Sequence, residues 1–410
     1  MVVVAGGIDE GDRALTPVAP TIALLVVAIV VAIVARRLRL PYTVGLVATG
    51  AALAIAHVDI GFALTHAFIF DVALPPLLFE AALLIRWREL RADAAPILTL
   101  AVVGTAISAA AIATGTMWLL HWPLPAATVF GVLIAATDPV AVIAMFKDTG
   151  VHGRLRLLVE SESLLNDGVA AVLFALVLAW IGGAAGTPLS VATAMVASAG
   201  GGILIGCVAG YVGILVAGRT SDRMVETGVT IAAAYGSFLG AEQLHVSGVL
   251  ACVAAGLLMG NLGALGEPNC GPLTKEGRAF VVVFWEFAAF IANSLVFILI
   301  GVTLARTPYA ALGWTALPIA ILIVLVGRAL TVYPLCLPFA ATRWAIPTGM
   351  QHVLWWGGLR GALGLALALT VPTTVPLHNE IVIATFAVVG FSAIVQGLTM
   401  GPLLKRLGFS

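Results

Sequence analysis

The sequence predicts an all-α protein that lies in a membrane, and its composition is the first observation that predicts this. Of its 410 residues, 61% are apolar and 10% carry a formal charge, whereas about 25% of the residues of a soluble domain are charged. Basic and acidic residues number 20 each, so no excess of positive charge indicates a nucleic-acid partner. The expected surroundings of the chain are therefore a lipid bilayer.

The second observation is a series of apolar segments of about 20 residues, the length that crosses a bilayer as a helix. Breaks at glycine, proline and charged residues divide the chain into thirteen predicted spans. In order these are residues 18–36, 41–57, 66–85, 95–118, 124–146, 156–182, 191–217, 224–243, 247–262, 280–304, 311–338, 350–370 and 380–404. The connecting loops are short. We therefore expect one transmembrane unit over residues 1–410, with no soluble regulatory domain and no cytoplasmic tail.

Basic residues are distributed unevenly between the two sets of alternate loops. One set contains Arg36, Arg37, Arg39, Arg86, Arg88, Arg91, Lys147, Arg154, Arg156, Arg219, Arg223, Lys275, Arg278, Arg343, Lys405 and Arg406, and the other contains only Arg13 and Arg306. Cytoplasmic loops carry the excess of lysine and arginine. We therefore expect the N-terminus outside, the C-terminus in the cytoplasm and an odd number of spans.

The four cysteines, Cys207, Cys252, Cys270 and Cys336, have no spacing typical of a metal site or a disulfide framework. We expect them to be small core residues. The phosphate-binding pattern GxxxxGK[ST] is absent from the sequence. No cofactor is therefore expected.

Ionisable residues inside the predicted spans are the candidates for function, because such residues are costly at bilayer depth. The acids are Glu80 in span 3, Asp138 in span 5, Glu162 and Asp167 in span 6, and Glu286 in span 10. The arginines are Arg328 and Arg360, and each needs a carboxylate, backbone carbonyls or water nearby. We expect Glu286, near a cytoplasmic end, to be solvated or paired.

Span 5 contains the segment AATDPVAV, with a proline in the middle of an apolar helix. Pro139 removes a backbone donor and crowds the preceding turn, so the helix is expected to open near Thr137 and Asp138. Irregular backbone at bilayer depth is tolerated where it lines a cavity or is buried in protein. Asp138 therefore indicates an ion site, with a simple proline kink as the alternative.

Span 6 begins with ESESLLNDG, in which three carboxylates crowd the start of an apolar helix. Ser163 lies four residues before Asp167 and so on the same helix face, where both side chains and a neighbouring carbonyl suit a small cation. Asn166 is displaced from Asp167 by about 100°, and Glu162 borders that face. Glu160 is expected to complement the helix dipole.

Span 12 contains GGLRGALG, with four glycines in eight residues. These glycines loosen a helix and permit another backbone to approach, so a second broken helix is expected to cross the one opened at Asp138. Spans 5 and 12 are seven apart and run in opposite directions. This predicts an inverted repeat of spans 1–6 and 8–13 with the ion site at its interface. Arg360 either caps carbonyls left by the broken helices or lines a cytoplasmic funnel.

Taken together, ATDPVAV, ESESLLNDG, GGLRGA and QGLTMGPLLKRLG closely resemble the sodium/proton antiporters of the NhaP and NHE class. The motifs cover the chain from span 3 to the C-terminus and are specific in combination, although ND or GGLRGA alone is not. The resemblance implies a homodimer in the plasma membrane of a bacterium or archaeon. It also implies that an ion-binding core, spans 3–6 and 10–13, moves like an elevator against a dimerisation scaffold formed by the other spans.

The resemblance implies roles for individual residues of the cation site. Asp167 is then the carboxylate that binds both the cation and the proton, with Asn166 as its partner in the ND motif. Thr137 and Asp138 lie at the crossing of the broken helices. Ser163 supplies a further oxygen ligand.

Three other residues receive roles from the same resemblance. Glu80, in LPPLLFE, matches an acid that borders the ion site and adds an oxygen to it. Glu162 matches the acid that forms a structural ion pair with the arginine of LVGRAL, Arg328.

The expected mechanism follows from the cost of moving a bare charge. Either a proton or a sodium ion neutralises Asp167, whereas the empty carboxylate would face a desolvation cost of several kcal/mol in crossing the barrier. Only loaded forms cross, so we expect exchange of Na⁺ or Li⁺ for H⁺. With one titratable carboxylate in the span 6 motif, the exchange is expected to be electroneutral and 1:1. A K⁺/H⁺ antiporter is an alternative, since all these cations prefer oxygen ligands.

Two alternatives come from other classes of protein. An intramembrane aspartyl protease needs two carboxylates facing one water, and Asp138 and Asp167 lie on adjacent spans. Such enzymes have Gly-x-Gly-Asp on the second helix, where this chain has LLND. A channel would pass ions without obligatory proton countermovement.

Overall fold

A computed structural model of the chain describes residues 18–38, 40–58, 63–183, 188–264 and 273–409. Arg13, Arg39 and Cys270 lie outside these ranges. Within them, the chain folds into helices joined by short loops, and no strand is found.

The first half of the chain forms nine α-helices. They are α1 (Val18–Leu38), α2 (Tyr42–Ile55), α3 (Leu74–Leu84), α4 (Trp87–Ala92), α5 (Ala94–Leu98), α6 (Thr105–Leu119), α7 (Leu124–Leu133), α8 (Val140–Thr149) and α9 (Arg154–Ile181). A π-helical turn, Phe68–Ala73, leads into α3, and another, Thr99–Gly104, joins α5 to α6.

The second half forms nine more. They are α10 (Pro188–Ala217), α11 (Arg223–Gln243), α12 (Gly248–Met259), α13 (Lys275–Arg306), α14 (Ala316–Cys336), α15 (Thr348–Trp356), α16 (Ala362–Thr370), α17 (His378–Phe391) and α18 (Gly397–Arg406). A π-helical turn, Ser392–Gln396, makes α17 and α18 nearly continuous.

Six helical segments of the described chain are long and apolar enough to cross a bilayer. They are Ala94–Leu119, Arg154–Ile181, Ala192–Ala217, Lys275–Arg306, Ala316–Phe339 and His378–Arg406. Shorter apolar helices occur at Ile22–Ala35, Tyr42–Ile55, Leu124–Leu133 and Gly248–Ala264. The prediction of an all-helical, multi-pass membrane protein is confirmed in this form.

Spans 5 and 12 are both interrupted in the middle, as Pro139 and the glycine-rich segment predict. Span 5 divides into α7 and α8, and span 12 into α15 and α16. The two interruptions touch, because the backbone N–H of Asp138 donates to the carbonyl of Leu359 at 2.8 Å. Four helix ends therefore meet in the interior of the protein, and each end has backbone groups that its own helix cannot bond.

The helices pack in two groups. In one group, here called the scaffold bundle, α2 packs along α13, α10 along α12, and α3 against both α12 and α13. Gly50 of α2 lies so close to the carbonyl of Ile298 on α13 that a Cβ would overlap it. The second group, the broken-helix bundle, contains α4–α9 and α14–α18. By these contacts α3 and α13, the helices of spans 3 and 10, lie in the scaffold bundle.

Candidate ion-binding site

A cavity of about 260 Å³ lies between the two bundles, next to the crossing of the broken helices. The scaffold bundle contributes residues of α2, α3 and α13 to its wall, including Glu80, Glu286 and Asn293. The broken-helix bundle contributes the interruption of span 5 and residues of α8, α9 and α16, including Asp138 and Asp167. Both aspartates singled out in the sequence therefore face one space.

Asp138 lies where the N-termini of two half-helices converge. Its carboxylate accepts a hydrogen bond from the backbone N–H of Val140 at 2.9 Å and another from that of Ala362. These amides begin α8 and α16, whose N-terminal ends carry partial positive charge. Gly361 permits this arrangement, because a Cβ there would overlap the carboxylate of Asp138. The helix ends thus stabilise a negative charge on Asp138 without a basic side chain.

Donor side chains occupy the C-terminal ends of the other two half-helices. Arg360 donates from Nη1 to the carbonyls of Ala135 and Ala136, at 2.6 and 2.9 Å, beyond the end of α7. Gln396 donates from Nε2 to the carbonyl of Trp356, the last residue of α15, at 2.9 Å. Of the two alternatives for Arg360, the structure has the carbonyl cap. The sequence analysis did not identify the role of Gln396. The signal that could have indicated it is a polar amide side chain inside an apolar segment.

Asn166 connects α9 to the interruption of span 5. Its Oδ1 accepts from the backbone N–H of Thr137 at 3.2 Å, and its Nδ2 donates to the hydroxyl of Thr137 at 2.8 Å. The Thr137 hydroxyl also bonds to that of Ser163 at 2.8 Å. Asn166 and Ser163 are buried and do not line the cavity. Thr137 lines the cavity. Of the three residues, only Thr137 is therefore in direct contact with the space that a cation would occupy.

Glu162 and Arg328 form a bidentate pair between α9 and α14. The two nitrogen–oxygen distances are 2.7 and 2.6 Å, and both side chains are buried. Arg328 also donates to the carbonyl of Leu354 on α15, and Asn166 donates to Glu162 at 3.2 Å. The pair implied by the resemblance is thus present as a contact, and it joins α9, α14 and α15.

Asp167 differs from its neighbours because, among the described residues, its carboxylate accepts no hydrogen bond and forms no ion pair. It lies on the cavity wall, about 100° around α9 from Asn166. Glu80 lies on the opposite wall, on α3, and likewise has no bonded partner in the described chain. Two carboxylates with free oxygens therefore face the same cavity, one from each bundle.

Charged pairs lie toward one end of the cavity. Lys147 on α8 approaches Glu286 on α13 at 3.9 Å, with both side chains about half exposed at 51% and 46%. Arg156 and Glu160, one turn apart on α9, approach at 3.3 Å. Glu286 is paired and partly solvated, and Glu160 is paired instead of simply facing the helix end. The charged end of the cavity is thus formed by α8, α9 and α13.

The described residues contain no candidate site for a transition metal. No group of three histidine, cysteine or carboxylate side chains there is arranged to hold a metal. Cys207, Cys252 and Cys336 are free thiols, and of these Cys252 and Cys336 are buried as expected of core residues, whereas Cys207 is partly exposed. The carboxylate and hydroxyl oxygens on the wall of the ion cavity instead suit a hard monovalent cation.

Comparison with known proteins decides the family. Residues 23–406 match a family described as sodium/hydrogen exchanger, transmembrane. The chain belongs to this family. The exchanger is 40% identical to the Na(+)/H(+) antiporter ApNhaP of Aphanothece halophytica over 380 residues, which are 90% of this chain and 70% of that protein. It is 35% identical to the Na(+)/H(+) antiporter NhaH of Halobacillus dabanensis over 405 residues, which are 94% and 96% of the two chains.

A solved structure shares the fold of the exchanger. The sodium proton antiporter MjNhaP1 from Methanocaldococcus jannaschii superposes with a TM-score of 0.77 at 19% sequence identity, covering 98% of this chain and 99% of that one. The resemblance to NhaP antiporters expected from the motifs is confirmed. The exchanger is thus a transporter and not an enzyme, and its family implies no cofactor.

Proposed function

We propose that the exchanger carries Na⁺ against H⁺ across the membrane, and that Asp167 binds the two ions alternately. The observation that carries this proposal is the unpartnered carboxylate of Asp167, which faces a cavity shared with Asp138 and Thr137. The neighbouring polar groups already have partners: Asp138 is bound by two helix N-termini, Glu162 by Arg328, and Asn166 by Thr137. Asp167 is therefore the carboxylate of the broken-helix bundle that is free to exchange ligands, and Glu80 faces it from the scaffold bundle.

The proposed cation ligands are the oxygens that reach the cavity. They are the carboxylates of Asp167 and Asp138, the hydroxyl or carbonyl of Thr137, and, from the opposite wall, Glu80. Ser163 contributes indirectly, because its hydroxyl holds that of Thr137. A dehydrated Na⁺ or Li⁺ replaces its water ligands with such oxygens, and a proton on Asp167 removes the negative charge that attracts the cation.

Alternating access is proposed to come from movement of the broken-helix bundle past the scaffold bundle. The cavity lies between the bundles, so a displacement of one against the other can close its present opening and open another. An elevator-like movement of this kind carries Asp167, Asp138 and Thr137 as a rigid unit, while Glu80 stays behind. The pair of Glu162 and Arg328 supports that rigidity, since it ties α9 to α14 and α15. The moving unit is then α4–α9 with α14–α18, and α3 and α13 remain with the scaffold.

The topology proposed for the exchanger has thirteen crossings. Each predicted span contains a helix, and α5 with α6, α7 with α8, α15 with α16, and α17 with α18 each complete one crossing. The opposed directions of the two broken helices support the inverted repeat of spans 1–6 and 8–13. We further propose an external N-terminus, a cytoplasmic C-terminus, and a homodimer in a bacterial or archaeal plasma membrane.

The test is a transport assay in proteoliposomes with a pH-sensitive dye inside. Addition of Na⁺ outside should drive proton efflux, Li⁺ should do the same, and K⁺ should be much weaker. Asp167→Asn, a nearly isosteric change that cannot titrate, should abolish the signal in folded protein. Asn293→Ala, at another polar residue of the cavity wall, is the matched control and should retain exchange.

The same assay separates the alternatives. A response to K⁺ that equals or exceeds the response to Na⁺ would reassign the exchanger to potassium. A channel would conduct Na⁺ without moving protons and would show no acceleration by Na⁺ on the opposite side. Exchange at the normal rate by Asp167→Asn would remove this residue from the centre of the mechanism.

A further inference from the structure

A second cavity, of about 570 Å³, lies on the other side of α9. Pockets that bury a small organic ligand have about this volume. Its walls are α4, α5 and α9 of the broken-helix bundle and α10 and α12 of the scaffold bundle. Leu165 lines this cavity, whereas Asp167, about 200° further round α9, lines the ion cavity. The helix that carries Asp167 therefore separates the two spaces.

This second cavity, here called the α9 groove, is apolar over most of its surface. Leu98 and Ile203 stand at its rim on opposite bundles, with side chains 51% and 46% exposed. The rim faces the outside of the molecule at the level of apolar helices, where the surroundings are acyl chains. A hydrocarbon chain can enter such a groove without uncovering any unbonded polar group.

One end of the α9 groove is basic. Arg91 lines it and Arg88 lies one turn away on the same short helix, α4. Neither guanidinium forms an ion pair or hydrogen bond with the described residues, in contrast to Arg86, which approaches Glu89 at 3.8 Å. Trp87, 56% exposed, lines the same end of the groove. Tryptophan and arginine together are typical of the headgroup level of a bilayer.

We propose that the α9 groove binds an anionic phospholipid from the surrounding bilayer. An acyl chain lies between α5 and α9 on one side and α10 and α12 on the other, and the phosphate is bound by Arg91 and Arg88. Charge complementarity favours an anionic over a zwitterionic headgroup, since each basic residue near an anionic membrane surface contributes about 1 kcal/mol.

The bound lipid lies beside the ion site and between the bundles that are proposed to move. Gly168, next to Asp167, packs so closely on Leu250 of α12 that a Cβ would overlap that side chain. Leu250 is also part of the groove wall. An occupant of the groove therefore contacts the surface on which α9 meets the scaffold.

The test is lipid retention by the full chain, measured by native mass spectrometry from detergent. The protein is incubated with equal amounts of phosphatidylglycerol and phosphatidylcholine that have the same acyl chains. One phosphatidylglycerol per chain should be retained in preference. Arg91→Gln should lower this preference about fivefold, the factor that corresponds to about 1 kcal/mol for one basic residue, and Arg91→Lys should keep most of it.

A second pair of variants tests the acyl-chain part of the site. Ala254→Trp places an indole in the groove and should displace the lipid, whereas Leu322→Trp, at an exposed apolar residue of α14, should not. Arg219→Gln, at an exposed arginine between α10 and α11, is the control for charge. Equal retention of the two lipids, or undiminished retention in Ala254→Trp or Arg91→Gln, would overturn the proposal. The measurement needs no transport, so its result is independent of the proposed exchange.

Discussion

Asn166 and Thr137 form a closed pair of hydrogen bonds between α9 and the interruption of span 5. The amide oxygen accepts from the Thr137 backbone, and the amide nitrogen donates to the Thr137 hydroxyl. The broken helix leaves the Thr137 N–H without a helical partner, and Asn166 supplies one. In the ND motif, the side chain of Asn166 thus fixes the backbone at Thr137 by hydrogen bonds, while the side chain of Asp167 faces the cavity.

Asn166→Ala is expected to destabilise the exchanger by about 1–3 kcal/mol, because the Thr137 N–H and hydroxyl lose their partner in a buried place. Asn293→Ala, at a half-buried asparagine with no hydrogen bond among the described residues, should have little effect. Thermal unfolding in detergent measures the difference. Equal melting temperatures for the two variants would show that the amide of Asn166 is not needed to hold the broken helix.

Removal of either Glu162 or Arg328 should destabilise the protein by about 3–5 kcal/mol, because the remaining charge is buried without its partner. Glu162→Gln with Arg328→Met should recover much of this loss. A double-mutant cycle of unfolding free energies gives the coupling between the two residues. Additive losses in the double variant would mean that the bidentate contact contributes little to stability.

Gly361→Ala tests the close approach of the two broken helices. A methyl group at this position overlaps the carboxylate of Asp138, so the two broken helices have to move apart. The hydrogen bonds from the amides of Val140 and Ala362 to that carboxylate are then weakened. Exchange should fall about tenfold or more, by analogy with enzymes, in which a misplacement of about 1 Å can cost about 100-fold in rate. Gly236→Ala, with nothing within 4 Å of the added methyl, should retain wild-type exchange.

Local sequence was sufficient to predict the features that depend on local chemistry. Hydropathy predicted where helices form, and Pro139 with the glycines of GGLRGALG predicted where two of them break. The acids that line the ion cavity, Glu80, Asp138, Asp167 and Glu286, were identified because a carboxylate is conspicuous in an apolar segment. These predictions needed no knowledge of which helices are neighbours.

Features that depend on tertiary contacts were not predictable in the same way. Helix spacing placed Ser163 and Asp167 on one face, but the hydroxyl of Ser163 bonds to Thr137 instead of lining the cavity. The packing of α3 and α13 in the scaffold bundle depends on close approaches such as those of Gly256 to Phe79 and of Gly50 to Ile298. Such contacts join residues on different helices, and hydropathy contains no information about which helices are neighbours.

Lys147→Gln should lower the KM for sodium about twofold to fivefold at low ionic strength. Lys147 lies at the cavity with Glu80, Glu160 and Glu286, so its removal makes the entrance more negative and raises the local cation concentration. The effect should disappear at high salt, where exposed charges are screened. Arg343→Gln, at an exposed arginine stacked on Trp344, is the control. A KM that does not change, or that changes equally at both salt concentrations, would contradict an electrostatic role for Lys147.

The last prediction is that exchange is electroneutral, with one proton for one sodium ion. Asp167 is the one carboxylate of the ND pair, and position 166 carries an amide already bonded to Thr137 and Glu162. Asp138 also faces the cavity, but the N-termini of α8 and α16 stabilise its negative charge. We therefore expect it to keep one charge state while Asp167 alternates between proton and cation.

Under this mechanism the membrane potential has no thermodynamic effect on the exchange, although about 2.3 kcal/mol per 100 mV acts on any uncompensated charge. Proteoliposomes with valinomycin and potassium gradients impose potentials of either sign while the sodium and proton gradients are held fixed. The sodium gradient at which net flux reverses should be the same at every potential. A reversal point that shifts with voltage would require more than one proton per cation. Glu80, the other unpartnered carboxylate of the cavity, would then be the first residue to replace, and Glu80→Gln should restore a voltage-independent reversal point if it carries the second proton.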